Sequence, residues 1–157
     1  MSVTEQTNIG SRIKIVMATT SLSLAQTSAT AVTTQDGLTV DRNESGRRRY
    51  YSCKAALTAS FVAASSQRTA TIAVNVQHSS DGTSWDTHTT GVVGTFGSTN
   101  GTTHYQSVET SVNLNGARRY IRVQLPAPTY SDCSSGQGVF TGNAVIVFGG
   151  ADELPAQ

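Results

Sequence analysis

Lysine is nearly missing from this chain of 157 residues, which has only Lys14 and Lys54. Charged residues of both signs make up 13% of the chain, low for a freely soluble monomer, so part of the surface is expected to lie against neighbours. The formal net charge of +1 gives no general pull toward nucleic acid or an anionic membrane. Cysteine occurs only at Cys53 and Cys133, too few and too far apart for a disulfide framework or a zinc cluster. Cys53 shares parity with Tyr51, Ala55 and Leu57 and reads as a small buried hydrophobe. Cys133 falls in a Ser/Gly-rich loop, and a reducing, intracellular place of synthesis fits both. No apolar run is long enough to cross a membrane. Thr19, Thr20, Ser21 and Ser23 dilute the 13–25 segment too far for it to read as a secretion signal.

What the chain has instead is Ser and Thr, at 42 positions. β-branched Thr and a shortage of strong helix formers favour strands and turns. The organising stretch is 69–85. Ala70, Ile72, Val74, Val76 and His78 alternate with Thr71, Ala73, Asn75 and Gln77, the period of a strand with one face on a core. Asp81-Gly82 then predicts a turn. The expected partner is 119–125, with Ile121, Val123 and Leu125 inward and Tyr120, Arg122 and Gln124 outward.

In chain order, 12–17 is a first strand, and Leu22 and Leu24 alternate weakly after it. A Thr-rich stretch follows, interrupted at Asp36-Gly37. Tyr51, Cys53, Ala55, Leu57, Ala59 and Phe61 mark a second long strand, although Leu57 and Phe61 also fit a helical turn. Residues 88–101 read as a glycine-punctuated connection or a short strand around Val92 and Val93. Val108, Val112 and Leu114 lead to Asn115-Gly116, a strong hairpin signal that hands the chain to 119–125. The last strand, 139–148, is apolar on both faces over 144–148, as in the interior of a two-layer structure. Seven to nine strands and no convincing helix predict an all-β fold. Its form is a two-layer antiparallel β-sandwich, jelly-roll-like, with extended terminal arms. The expected divisions are an arm over 1–12, the sandwich over 13–150 and a tail over 151–157. The polar arms are expected to become ordered against neighbours.

Catalytic material is sparse. His78 has no activating partner in the pattern and reads as structural. Asp81, Asp86 and His88 cluster near the turn, but their spacing matches neither an EF-hand nor a zinc site. No nucleophile elbow or phosphate cradle occurs. The expectation is no enzyme, no metal and no cofactor. Arg47-Arg48-Arg49, followed by Tyr50-Tyr51, can be a solvated loop, a protein contact through forked guanidinium donors, or a nucleic-acid contact. The near-zero charge and the lack of a second basic patch weigh against nucleic acid. Arg12, Arg47, Arg48, Arg49 and Tyr50 are the candidate partner-binding residues. Arg118, Arg119 and Arg122 flank the strand after Asn115-Gly116 and read as edge protection. Trp85 reads as a core plug or, if exposed, as a stacking platform for a glycan.

The stretches 77–85 (QHSSDGTSW) and 118–123 (RRYIRV), with the closing 143–150 (NAVIVFGG) and the Pro155 tail, resemble small tailed-bacteriophage virion proteins that decorate or cement the capsid. That resemblance covers roughly the second half of the chain. It implies a non-enzymatic homo-oligomer, often a trimer, that binds the major capsid protein on the virion surface after synthesis in the host cytoplasm. The near-zero charge leads to the expectation of no nucleic-acid and no membrane partner. The same two stretches also resemble discoidin-type carbohydrate-binding jelly rolls, which implies a glycan partner at Trp85. The chain departs from that family in its opening third and at 130–138. A tail or fibre component shares the fold and the assembly logic.

Overall fold

The computed structural model describes residues 13–26, 33–43, 49–63, 67–91, 93–99, 101–130 and 138–151. The described residues form strands and turns only, in two layers around one core. The first layer contains β1 (Lys14–Met17), β2 (Leu22–Gln26), β5 (Tyr50–Ala63), β10 (Thr103–Asn113) and β13 (Gly138–Ala151). Its order is β1-β13-β5-β10, with β2 pairing the other half of β13. The second layer contains β3 (Gln35–Asp36), β4 (Val40–Asp41), β7 (Asn75–Ser79), β8 (Asp86–Thr89) and β11 (Tyr120–Leu125). It continues in β6 (Gln67–Ala73), β9 (Val93–Thr99) and β12 (Thr129–Tyr130). All the pairings are antiparallel. This is the two-layer sandwich expected from the alternation.

The long run 69–85 forms two strands rather than one, and only the second pairs with 119–125: β7 lies against β11, whereas β6 pairs with β9 and β12. It breaks at Val74, between β7 in the β3-β11-β7-β8 sheet and β6 in a separate sheet of order β12-β6-β9. Gly91 crosses the break. Its N–H donates to Asn75 Oδ1 at 3.1 Å, and a Cβ there would lie 1.3 Å from the Val74 carbonyl oxygen. Only a residue without a side chain lets the backbone pass this close.

Inward alternation fills the core. Leu57 and Phe61 on β5, Phe140, Ile146 and Phe148 on β13, and Val108 and Val112 on β10 face Ile72, Val76, Phe96, Ile121, Val123 and Leu125. Phe96 meets Phe140 edge-to-face with centroids 5.0 Å apart, and Phe61 lies 5.9 Å from Tyr130. These aromatic pairs bridge the layers and contribute about 0.5–1.5 kcal/mol each beyond area burial.

Several expectations need correction. The segment 88–101 holds the end of β8 and all of β9, so its strand alternative holds, at seven residues from Val93, rather than the connection; thirteen strands are described where seven to nine were expected. Asn115-Gly116 does form a tight turn, with Gly116 at φ +79°. It joins no hairpin: β10 pairs with β5, β11 pairs with β7, β3 and β4, and the turn carries the chain from one layer to the other. Consequently β11 lies inside its sheet, so its arginines guard no edge. The alternation of β5 slips at its start. Tyr51 and Ser52 are both exposed, and Tyr50 turns into the core. The arm and tail lie outside the described residues, except that Ala151 still pairs with Tyr50. Segment 13–25 contributes β1 and part of β2.

Gly91→Ala is expected to lower stability by about 2–3 kcal/mol, the cost of forcing atoms into a filled site. Urea unfolding midpoints check this, and a variant as stable as the parent would contradict the close crossing.

Candidate functional site

The turn between layers is built around Arg42, which follows β4 and is 1% exposed. Its Nε donates to Arg118 O at 2.8 Å, and its Nη1 donates to Tyr50 O and Leu114 O, both at 2.9 Å. Its Nη2 donates to Ala117 O. The backbone closes the same knot, with Arg42 N–H on Arg119 O and Tyr50 N–H on Arg42 O. Burial, then the charge of Arg49, lowers the Arg42 pKa, though a guanidinium remains protonated at neutral pH. The carbonyl dipoles replace water around the buried charge. Arg42 belongs to no motif in the sequence. A lone cation two residues after an inward Val40 was the available signal.

Around this knot the structure gathers residues that the sequence kept apart. Arg49, Arg118 and Arg119 line a recess of about 240 Å³ with Arg42, Asn43 and Ala117. A second basic group therefore does stand beside Arg49. Arg119 holds Asp41 through Nε (3.1 and 3.3 Å) and Nη2 (2.8 Å), which raises its pKa. Arg118 holds Asp86 at 2.5 Å, and the Arg49 guanidinium stands 5.7 Å from the Tyr51 ring centroid. Tyr50 is not a surface contact: it is 1% exposed and stacks on Phe148 with centroids 4.7 Å apart. Arg12, Arg47 and Arg48 lie outside the described residues.

The same end of the sandwich carries an apolar stripe. β1 is an edge strand, and Ile15 (65% exposed) and Met17 (61%) point outward together with exposed Ile13. The register sets them beside half-buried Val147 and Val145. The register also fixes where the described residues begin and end. Lys14 pairs with Phe148 and Ala151 pairs with Tyr50, so the first and last described residues both lie here.

The outer face of the second layer is occupied by its own cross-strand partners. Trp85 is half-buried, but not in the core. It lies beneath the Arg122 guanidinium, whose carbon is 4.5 Å from the ring centroid. Arg122 also donates to Gln77 Oε1 (2.7 Å) and pairs with Asp36 (3.1 Å). One face of the indole is thus already covered. Asp81 Oδ1 accepts the N–H groups of Thr83 and Ser84 and the Ser79 hydroxyl, all at 2.8 Å, and these bonds depress its pKa strongly.

His88 is the extra residue of a bulge where the β7–β8 register slips. Its Nε2 donates to Asn113 O at 2.8 Å. His78 lies opposite Ile121, as its parity predicted, with its ring 5.0 Å from His88 and its Nδ1 accepting Arg118 N–H at 3.3 Å. Asp81, Asp86 and His88 are thus each engaged elsewhere. Among the described residues no three ligating side chains converge on a metal position. Burial pushes the Cys53 thiol up to about 12, so it supplies no nucleophilic thiolate near neutral pH. Cys133 lies outside the described residues.

No protein-family model matches the chain, and no curated protein matches it. Solved structures do. A chain from infectious bursal disease virus, Gx strain, superposes with a TM-score of 0.57 at 13% identity, over 92% of this chain and 33% of that one. A chain of the T13 particle of IBDV superposes at 0.54 with 15% identity, over 87% and 30%. The PBSX exported protein XepA superposes at 0.44 with 17% identity, over 92% and 39%. The chain therefore spans about a third of the viral chains it matches. At such identities the viral likeness shows the fold alone, a jelly-roll type of β-sandwich.

Two expectations follow. Arg42→Met strands four carbonyls and is expected to cost about 3–5 kcal/mol, read from urea or thermal unfolding; a loss below about 1 kcal/mol would contradict the clamp. His78 behaves differently. Burial first, then His88 and Arg118, lowers its pKa from 6.5. Below pH 6.5 the unfolded chain takes up a proton that the folded chain resists, so stability falls as pH drops from 6.5 toward the lower folded value. Urea midpoints from pH 7.5 to 5 are expected to show this slope, and His78→Asn to flatten it. An unchanged slope in the variant would assign the titration to other groups.

Proposed function

We propose that the protein is a bacteriophage capsid decoration or cement protein. It is non-enzymatic, binds the major capsid protein on the virion surface, and acts as a homo-oligomer with a trimer favoured. The observation that carries this reading is the convergence at one end of the sandwich. The exposed stripe Ile13–Ile15–Met17, the arginine-lined recess and the first and last described residues all occupy it. Exposed apolar side chains grouped on an edge mark an association surface. The fold, shared with chains of viral particles, suits a virion role without fixing it.

The mechanism is mechanical. Ile15 and Met17 bury against a capsid subunit, each worth roughly 1.5–3 kcal/mol if fully covered, before ordering costs. Guanidiniums at the recess add register by meeting carboxylates, a contribution felt mainly in specificity and on-rate. The arms over 1–12 and 151–157 reach neighbouring subunits, and repetition over a symmetric shell turns modest contacts into avidity.

The test mixes purified protein with capsids that lack it and measures occupancy. The Ile15→Asp/Met17→Asp pair is expected to require at least about tenfold more protein for half-occupancy, with the parent's melting temperature. Deleting residues 1–10 is expected to weaken attachment and leave the sandwich folded. Parental occupancy by the paired variant would sink the proposal.

A further inference from the structure

We propose that the outer face of the first layer holds a second site, a trough that binds a neutral oligosaccharide with Tyr105 as its stacking platform. The register builds it. Tyr105 lies opposite Ser60 and Ser60 opposite Thr141; Ser107 lies opposite Thr58 and Thr58 opposite Asn143. Side chains directly opposite share a face. These two rows alternate with Phe61, Phe140 and Val108, which face the core, so both rows point outward. They line a depression of about 660 Å³.

The chemistry of the lining selects the ligand. No charged side chain lines the trough among the described residues. A polyanion such as nucleic acid would need cations along its path. A protein interface of this size would be expected to centre on an apolar patch, whereas hydroxyls and amides dominate here. Ser60 Oγ and Thr141 Oγ1 lie 2.7 Å apart, and Thr58 Oγ1 donates to Asn143 O at 3.4 Å, so the hydroxyls already hold fixed positions. Hydroxyls and amides both donate and accept, which matches the mixed donors and acceptors of a sugar. Tyr105 is 81% exposed. The negative face of its ring suits the C–H face of a pyranose, and its two side-chain torsions make ordering cheap.

The site does not rest on the capsid reading. It is also separate from Trp85, which lies on the other layer. Ser60 is ten residues along β5 from Tyr50, about 33 Å at strand rise. Met17 stands opposite Val145, which is opposite Ala56, two residues from Asn143 and Thr58, so a shell seated on Ile15 and Met17 would border the near row of the trough, while Tyr105 and Ser60 stand further along β10 and β5.

The experiment screens the full chain against an array of neutral gluco-, manno-, galacto- and N-acetylhexosamine oligosaccharides, then titrates the strongest binder calorimetrically. The parent is expected to bind at least one. Tyr105→Ala is expected to weaken binding about tenfold or more and Thr141→Val several-fold, while Trp85→Ala binds as the parent does. Melting temperatures and capsid occupancy are measured on the same variants. Three results would overturn the assignment: no neutral glycan bound by the parent, binding lost in Trp85→Ala but kept in Tyr105→Ala, or Tyr105→Ala losing capsid occupancy while glycan binding is unchanged.

Discussion

A cation buried among backbone carbonyls organises this fold. Arg42 stands 1% exposed and gives its donors to the carbonyls of Tyr50, Leu114, Ala117 and Arg118. These four residues belong to the start of β5 and to the turn that carries the chain between layers. A guanidinium suits the role because its planar fork reaches several acceptors in fixed directions, which a lysine ammonium cannot do. Burying the charge is costly, and the aligned carbonyl dipoles offset the lost hydration. The exchange leaves one geometry for the corner. Its bonds tie together the ends of β4, β5, β10 and β11.

The consequence is a molecule with unlike surfaces. Near the Arg42 corner lie the apolar edge of β1, the arginine recess and the first and last described residues. Further along the same layer, the outer face becomes a sheet of hydroxyls under Tyr105. The outer face of the second layer is occupied by its own pairs: Arg122 with Gln77, Asp36 and Trp85, and Gln124 with Asp36. Exposed ion pairs such as Lys54–Glu109 and Arg118–Asp86 add little stability. Their effect is to leave few uncompensated charges on a chain that already has few.

Strand alternation was legible wherever it ran unbroken. β5, β11 and β13 fall where Leu57, Ile121 and Ile146 and their alternating neighbours placed them, because period two reports burial directly. The Asp81-Gly82 turn was equally plain, since its chemistry is local. What failed depended on distance. Asn115-Gly116 carries the strongest local hairpin signal, yet the turn joins two layers, because Arg42, more than seventy positions earlier, captures its carbonyls. Local turn preference cannot show which strands will pair. Tyr50 looked like a surface residue beside three arginines, and one slip of the β5 alternation puts it against Phe148. Trp85 sits on the outside of its layer because Arg122, on a neighbouring strand, covers it. The trough at Tyr105 needs three strands in register and has no contiguous sequence signature at all.

The claim at the centre of this account is that the Arg42 end of the sandwich is the end that meets a shell. A reconstruction of the protein bound to its capsid, resolved well enough to orient the two layers, tests it most directly. The account predicts Ile15, Met17 and the recess at Arg49 and Arg118 against capsid subunits, with Tyr105 facing solution. A map with that end in solvent and the hydroxyl face or the Trp85 face against the shell would contradict it.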